Sequence, residues 1–121
     1  MHRGAEAAVR MLQDAHLVAF SPIVLGELRY GFLGGRLAEL NEAALQDFLR
    51  RPRVRVLPIG EETSHRYALI LDYLRKHGRP VPTNDMWLAA SAMEFGMTLL
   101  TADRHFQWMP QISVATLPLD G

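Results

Sequence analysis

The apolar positions along the chain alternate between helical spacing and short uniform runs. Spacings of three and four residues predict amphipathic helices, whereas short apolar runs bounded by turn residues predict buried strands. The predicted helices are residues 4–14, a segment from Pro22 into "GFLGG", a stripe of Leu37, Leu40, Ala44 and Phe48, residues 61–77, and a segment ending at about Phe95. The predicted strands are residues 17–20, 54–59, 97–101 and 112–116. Because helices separate the strands, the order predicts an α/β fold with a parallel sheet covered on both faces.

Residues that start and stop helices support these boundaries. The serine and proline at residues 21–22 predict an N-cap followed by a proline in the first helical turn. Gly78 and Gly96 each follow a periodic apolar segment and are predicted helix stops. Thr83 or Asn84 is the predicted N-cap of the helix between these two glycines.

Composition limits the class of protein. The 121 residues, 49% apolar and 21% charged, predict a single compact domain over residues 1–121. No apolar run approaches the roughly 18 residues of a membrane span, and the start lacks the apolar core of a signal peptide. There is no cysteine, so thiolate metal sites are excluded and a reducing cytoplasm is the expected compartment. Thirteen basic and thirteen acidic residues cancel, so nucleic acid would have to be held by a local patch or a metal ion.

Three acidic residues are predicted to lie at the C-terminal ends of strands or at the starts of helices, which is where a parallel sheet binds ligands. Asp103 follows a strand, Glu27 lies in the first turns of a helix that leaves a strand, and Asp85 lies in a first helical turn. Each has a structural alternative, which is a turn for Asp103, a solvated face for Glu27 and capping for Asp85. If the three converge, their repulsion favours a bound divalent cation, and oxygen ligands suit Mg²⁺ or Mn²⁺.

Two stretches carry a resemblance to a known family. They are "SPIVLGELRYGF" (21–32) and "VPTNDMWLAASAMEFGMTLLTADRHF" (81–106). In the second, Asn-Asp opens an Ala-rich helix, and a glycine, a strand and Thr-x-Asp-x-x-Phe follow. From residue 17 onward the chain resembles the PIN-domain ribonucleases, specifically the toxins of VapBC toxin–antitoxin pairs. The resemblance implies a three-layer α/β/α fold with a mostly parallel sheet, in agreement with the predicted order of elements.

The resemblance also implies a site and a reaction. Glu27, Asp85 and Asp103 correspond to the family's acidic metal ligands. Thr101 matches a polar residue that supports the metal and its water, and Asn84, which we expect to cap its helix, matches the residue before the acid. Mg²⁺, or Mn²⁺ in its place, would activate a water for attack on an RNA phosphodiester. The implied partners are a cognate antitoxin, RNA and a second copy of the chain in a homodimer, with no membrane.

One departure from the family concerns the start of the chain. Such proteins usually open with a strand that ends in an aspartate, a further ligand, whereas this chain starts at the helix that would follow. Because that strand normally lies in mid-sheet, its absence predicts two half-sheets with open edges. A mis-assigned start or trimmed chain, a strand donated by another chain, and a degenerate protein are the competing explanations. The last leads to an alternative function, a catalytically impaired PIN-fold module that dimerises and binds an antitoxin.

Three further features have both structural and functional interpretations. The segment "RRPRVR" (50–55) suits either phosphate binding or a solvated loop. The five histidines show no metal-ligand spacing, so surface or capping roles are expected, although His105 is near enough to Asp103 to touch a substrate. Trp87 and Trp108 are predicted to lie in the core or an interface rather than to stack on bases.

Overall fold

A computed structural model of the protein describes residues 3–101 and 103–116. In chain order the elements are α1 (Arg3–Asp14), β1 (Val18–Phe20), α2 (Pro22–Leu33), α3 (Ala38–Leu49), β2 (Val54–Val56), α4 (Glu61–Lys76), α5 (Thr83–Phe95), β3 (Thr98–Thr101), a 3₁₀ helix (Arg104–Trp108) and β4 (Ser113–Thr116). The chain divides into a smaller unit, residues 15–58, and a larger unit, residues 1–14 with 59–121. Among the helices of the described residues, none combines the length and the apolar content that crossing a membrane requires.

In the smaller unit, two helices lie between two short paired strands. β1 pairs in parallel with β2, in a register that sets Val18 opposite Val54, and both valines are buried. The predicted start of α2 is confirmed, because the Ser21 Oγ accepts a hydrogen bond from the Ile23 N–H at 3.1 Å and a proline follows the serine. A serine cap with proline next to it lets the chain turn from β1 directly into a helix.

The packed face of α3 differs from the predicted stripe. Leu37 and Leu40 were expected on that face, but both are exposed, whereas Leu45 is buried. Phe48 does pack, edge-on against Phe20 with 5.8 Å between ring centroids. The prediction holds at Phe48 and is wrong at Leu37 and Leu40, because a short helix with several leucines offers two apolar stripes and packing selects the one through Leu45 and Phe48.

An ion pair with two parallel hydrogen bonds joins α2 to α3. The Arg29 Nε donates to the Glu42 Oε1 at 3.0 Å and the Arg29 Nη2 to the Oε2 at 3.0 Å, and the Gln46 amide donates to the same carboxylate. These hydrogen bonds, that of Arg29 first, hold the pKa of the Glu42 carboxyl below its ordinary value. Since solvent reaches both side chains, the pair orients the two helices more than it stabilises them.

The arginines of the segment 50–55 support the loop that leads into β2. The Arg53 Nη1 donates to the Ala15 carbonyl at 2.8 Å, and the Arg51 guanidinium lies 5.2 Å from the centroid of the Phe48 ring. These contacts favour the interpretation of the segment as a structural loop over that of a phosphate site.

In the larger unit, the core forms where α4 packs against α5. Among the described residues, the most deeply buried apolar side chains are Ile70 and Leu74 of α4 and Ala89 and Ala90 of α5. The methyl side chains of the two alanines let the helices approach closely, so the larger α4 side chains are covered completely. The buried cluster is completed by Met86, Phe106 and Met109.

Two glycines end the helices of this unit as predicted. Gly78 after α4 and Gly96 after α5 both have φ of 63°, a left-handed conformation that favours glycine. β3 then pairs in parallel with β4, with Thr101 opposite Thr116 at the last position. The described strands therefore form two two-stranded parallel sheets, in agreement with the predicted pair of half-sheets, and the predicted α/β class is confirmed.

The predicted N-cap of α5 is wrong. The helix begins at Thr83 and its N-cap is Pro82, with no side-chain hydrogen bond at the cap. Pro82 ends the preceding loop in an extended conformation, with ψ of 147°, and its carbonyl accepts the Met86 N–H at 3.2 Å. Asn84 therefore lies inside the first turn, because the proline carbonyl already supplies the first helical acceptor.

A buried hydroxyl ties the start of α4 to the end of α5. Thr63 is 0% exposed, and its Oγ1 accepts from the Gly60 N–H at 3.0 Å and donates to the Glu94 Oε1 at 2.5 Å. One side chain thus provides a partner for both a backbone donor and a half-buried carboxylate. Both groups would lose that partner without the hydroxyl.

Replacing this hydroxyl gives a test of the core. Thr63→Val keeps the shape of the side chain but removes the hydrogen bonds, so the free energy of unfolding should fall by about 1–3 kcal/mol. Thr98→Val, at an exposed position of β3, is the matched control and should change it by less than about 0.5 kcal/mol. Urea unfolding followed by circular dichroism measures both, and equal effects would show that the hydroxyl contributes nothing.

The Arg29–Glu42 pair predicts a pH dependence of stability. Folding lowers the pKa of the Glu42 carboxyl, so the ionised carboxylate stabilises the folded protein at pH values above the ordinary pKa of about 4.3. This stabilisation is lost as the pH falls through the lowered pKa. The difference in unfolding free energy between the parent and Glu42→Gln should therefore be largest at neutral pH and vanish in acid. Urea titrations between about pH 7 and pH 3 measure it, with Glu39→Gln of the same helix as control. A difference that does not vary with pH would contradict the assignment.

Candidate active site

Asp103 lies two residues after the end of β3 and is held through its backbone and its side chain. Its N–H donates to the Thr101 Oγ1 at 3.0 Å. Its Oδ1 accepts from the His105 N–H at 2.9 Å and lies 2.8 Å from the His105 Nδ1. Asp103 is therefore the N-cap of the 3₁₀ helix, as the turn alternative predicted, and the strand end fixes its position.

The contacts of Asp103 leave half of its carboxylate open. Both of these contacts use Oδ1, and within residues 3–101 and 103–116 no hydrogen bond or ion pair engages Oδ2. The side chain is 39% exposed, so a ligand can reach it. A carboxylate that is oriented through one oxygen and open at the other fits a hard cation, which prefers oxygen donors.

A row of ring contacts continues from Asp103. The His105 and Trp108 rings have centroids 4.9 Å apart at an angle of 59°, and the Arg79 guanidinium carbon lies 4.9 Å from the Trp108 centroid. Trp108 is half-buried and packs against the core cluster, so its predicted core position is confirmed. Continuous side-chain contacts thus join the end of β3 to the turn between α4 and α5.

Asp85 occupies the first turn of α5 and is half-buried. The first helical N–H groups and the positive end of the helix dipole favour an ionised carboxylate at this position. Asp85 and Asp103 belong to the same compact unit, which brings two of the predicted acids into one body.

Glu27 lies on α2, at an exposed position of the smaller unit. Across the part of the chain that the structure describes, no group of three His, Asp or Glu side chains is arranged to hold one metal ion. A metal site formed by Glu27, Asp85 and Asp103 therefore stays a prediction, as does the role of Thr101 beside a metal.

A cleft at the turn between α4 and α5 has no counterpart among the predicted site residues. Its volume is about 390 Å³, and Arg75 and Arg79 contribute to its lining. Thr83 and Met86, which lie on either side of Asp85 in α5, line another part of it. The two arginines form no motif in the sequence, so only the three-dimensional structure brings them together with α5.

Comparisons with known proteins agree on one family. The model of the PIN domain matches residues 1–110. Ribonuclease VapC4 of Mycobacterium tuberculosis is 36% identical over 97 residues, covering 80% of this chain and 75% of that protein. Ribonuclease VapC1 of Haemophilus influenzae (strain R2866) is 33% identical over 104 residues, covering 85% and 75%. Toxin FitB of Neisseria gonorrhoeae is 33% identical over 97 residues, covering 77% and 68%.

Solved structures have a similar fold. The crystal structure of VapBC2 from Rickettsia felis bound to a DNA fragment from its promoter has a TM-score of 0.77 at 25% identity, covering 93% of this chain and 84% of that one. VapBC-1 from nontypeable Haemophilus influenzae has a TM-score of 0.75 at 29% identity, covering 93% and 83%. Both likenesses extend over nearly the whole of the present chain.

Substitutions at Asp103 test its structural role as the N-cap of the 3₁₀ helix separately from any role in catalysis. Asp103→Ala should lower the free energy of unfolding by about 1 kcal/mol, because the 3₁₀ helix loses its cap, whereas Asp103→Asn keeps an acceptor oxygen and should stay within about 0.5 kcal/mol of the parent. Thermal and urea unfolding measure both variants. Equal stability of the alanine and asparagine variants would show that the cap is not used.

Proposed function

This chain belongs to the PIN-domain family, and on that premise we propose that it is a metal-dependent endoribonuclease that acts as the toxin of a toxin–antitoxin pair. The names of the relatives support this, since VapC4 and VapC1 are called ribonucleases and FitB a toxin. The observation that carries the proposal is Asp103, a carboxylate oriented at the end of β3 and open at one oxygen, inside the segment that matches the family.

We propose Glu27, Asp85 and Asp103 as the ligands of Mg²⁺, with Mn²⁺ as the alternative. All their donors are carboxylate oxygens, which hard divalent cations prefer, and the chain has no cysteine to favour a softer metal. When bound, such an ion would polarise an RNA phosphodiester and would supply an activated water as the nucleophile.

The contribution of the protein is to orient the carboxylates before the substrate arrives. Thr101 fixes the backbone of Asp103, and His105 holds the Oδ1, so the Oδ2 keeps a constant direction. The N-terminus of α5 favours the ionised form of Asp85. Groups that are oriented in advance need little reorganisation during the reaction. This preorganisation accounts for much of the rate enhancement in sites that act by electrostatic stabilisation.

A cognate antitoxin, a homodimer and a cytoplasmic location complete the proposal. The similar solved structures from Rickettsia felis and Haemophilus influenzae are VapBC structures, which supports an antitoxin partner. Apolar side chains on α2 and α3 also support contact with another protein chain. Tyr30 and Leu33 are each 80% exposed, and Leu37 and Leu40 are exposed as well, so covering them would remove apolar surface from water.

RNA cleavage by single-acid variants tests the site. Asp103→Asn should reduce cleavage about 100-fold or more, as is typical when one electrostatic group is removed, and Asp85→Asn and Glu27→Gln should act in the same direction. Asp72→Asn, on an exposed face of α4, is the matched control and should cleave like the parent. The measurement is cleavage of end-labelled total bacterial RNA with Mg²⁺ or Mn²⁺, resolved by electrophoresis.

Chelation provides the second arm of the same test. EDTA should abolish cleavage by the parent protein, because the acids alone cannot activate water. Cleavage that survives EDTA, or that persists in Asp103→Asn, would overturn the proposed site. A parent that binds an antitoxin but cuts no RNA with either metal would favour the alternative, a catalytically impaired PIN-fold binding module.

A further inference from the structure

We propose that the cleft at the turn between α4 and α5, here called the α4–α5 cleft, binds a single-stranded segment of the RNA substrate beside the acids. Arg75 and Arg79 would contact its phosphates, and the apolar part of the lining would contact one base. The inference rests on the proposed ribonuclease function and assigns the residues that hold the substrate.

The α4–α5 cleft has the size and the lining that a nucleotide needs. A volume of about 390 Å³ is within the range of about 300–1,000 Å³ typical of small-molecule sites. Its apolar lining includes Leu71, Val81 and Met86. Its polar lining includes Arg75, Arg79 and Thr83. Single-stranded RNA combines a flat base with a charged phosphate, so it can use both parts of this surface.

The backbone and an indole ring together position Arg79. Gly78 ends α4 in the left-handed conformation, and the Arg79 N–H donates to the Leu74 carbonyl at 2.9 Å, which closes the turn. The guanidinium then lies 4.9 Å from the centroid of the Trp108 ring. A cation–π contact orients the guanidinium and leaves its positive charge available to a phosphate.

Neither arginine of the α4–α5 cleft is neutralised by a direct ion pair with a described residue. Other arginines differ in this respect, since Arg29 pairs with Glu42 and Arg66 with Glu62. Because the chain has no net charge, an RNA strand must be attracted locally, and two uncompensated guanidinium groups supply such a field.

Chain neighbours and side-chain contacts connect the α4–α5 cleft to the two aspartates of the larger unit. Met86, which lines it, directly follows Asp85 in the first turn of α5. In the other direction, Arg79 contacts Trp108, and Trp108 contacts the histidine that is bonded to Asp103. An RNA segment held in the cleft would therefore extend toward the acids.

Fluorescence anisotropy with a labelled random-sequence RNA of about 12 nucleotides, within the usual range of about 4–16 for such sites, tests the proposal. EDTA in the buffer suppresses cleavage, so the affinity is measured independently of the proposed metal chemistry. Arg75→Gln and Arg79→Gln should each raise the Kd about 5-fold at about 0.1 M salt and lower the slope of log Kd against log salt by about 0.7. Arg66→Gln makes the same change of charge on α4 outside the cleft and should leave both quantities nearly unchanged.

The role of Trp108 is to position Arg79, and it needs its own variants. Trp108→Leu should weaken RNA binding, and adding Arg79→Gln to it should weaken binding little further, because the ring acts through that arginine. Circular dichroism must show a folded protein, since Trp108 also packs against the core. Arg79→Lys keeps the charge but loses the planar guanidinium over the Trp108 ring, so it should raise the Kd while the salt slope stays the same.

The outcomes distinguish the α4–α5 cleft from the proposed activity. Asp103-dependent cleavage together with unchanged RNA affinity in the Arg75→Gln, Arg79→Gln double variant would overturn the cleft and leave the activity standing. Lower RNA affinity of that variant, in a protein whose parent cuts no RNA, would support the cleft and overturn the activity. Unchanged RNA affinity with weaker binding of a labelled polyglutamate peptide would overturn the proposal in favour of an acidic peptide site.

Discussion

The contact between α4 and α5 is the interaction on which the larger unit depends. Ala89 and Ala90 carry only methyl groups, so α4 lies close enough for Ile70 and Leu74 to be covered completely. Close-packed surfaces of this kind tolerate little displacement, because any gap forfeits many small attractive contacts at once. The turn that joins the two helices is therefore held at both ends. The start of α5, with Asp85, and the arginines at the end of α4 take their positions from this packing.

The 3₁₀ helix transmits the same constraint to Asp103. Its repeat is three residues per turn, so residues three apart lie on one face. Phe106 and Met109 form the buried face and pack into the core cluster. His105 and Trp108 form the neighbouring face and contact each other. His105 contacts Asp103, and Trp108 contacts Arg79 of the α4–α5 cleft. One short helix thus uses one row of side chains to hold its place and another to hold the site.

Local signals in the sequence predicted most features that depend on local physics, with the N-cap of α5 as an exception. The left-handed glycine at Gly96 and the cap at Ser21 depend on a few neighbouring residues, and both are confirmed. The apolar face of α3 depends on which neighbours it packs against, so spacing alone selected the wrong leucines. The contact between Arg79 and Trp108 joins distant parts of the chain and has no sequence motif. Convergence of the three acids is of this second, long-range kind, which is why family resemblance rather than spacing carried that prediction.

The way Arg79 is held explains why an aromatic ring suits a phosphate-binding cation better than a carboxylate does. An ion pair such as Arg29–Glu42 also orients a guanidinium, but it places a negative charge where the phosphate would have to sit. The Trp108 ring contacts the Arg79 guanidinium and limits its movement. The N–H groups of the guanidinium stay available to donate hydrogen bonds to a ligand. The entropy of ordering the arginine is then lost during folding and not during binding, which raises the affinity available from a single charge. In a chain with zero net charge, this preorganisation of Arg79 would help the proposed cleft to bind a strand that the protein as a whole does not attract.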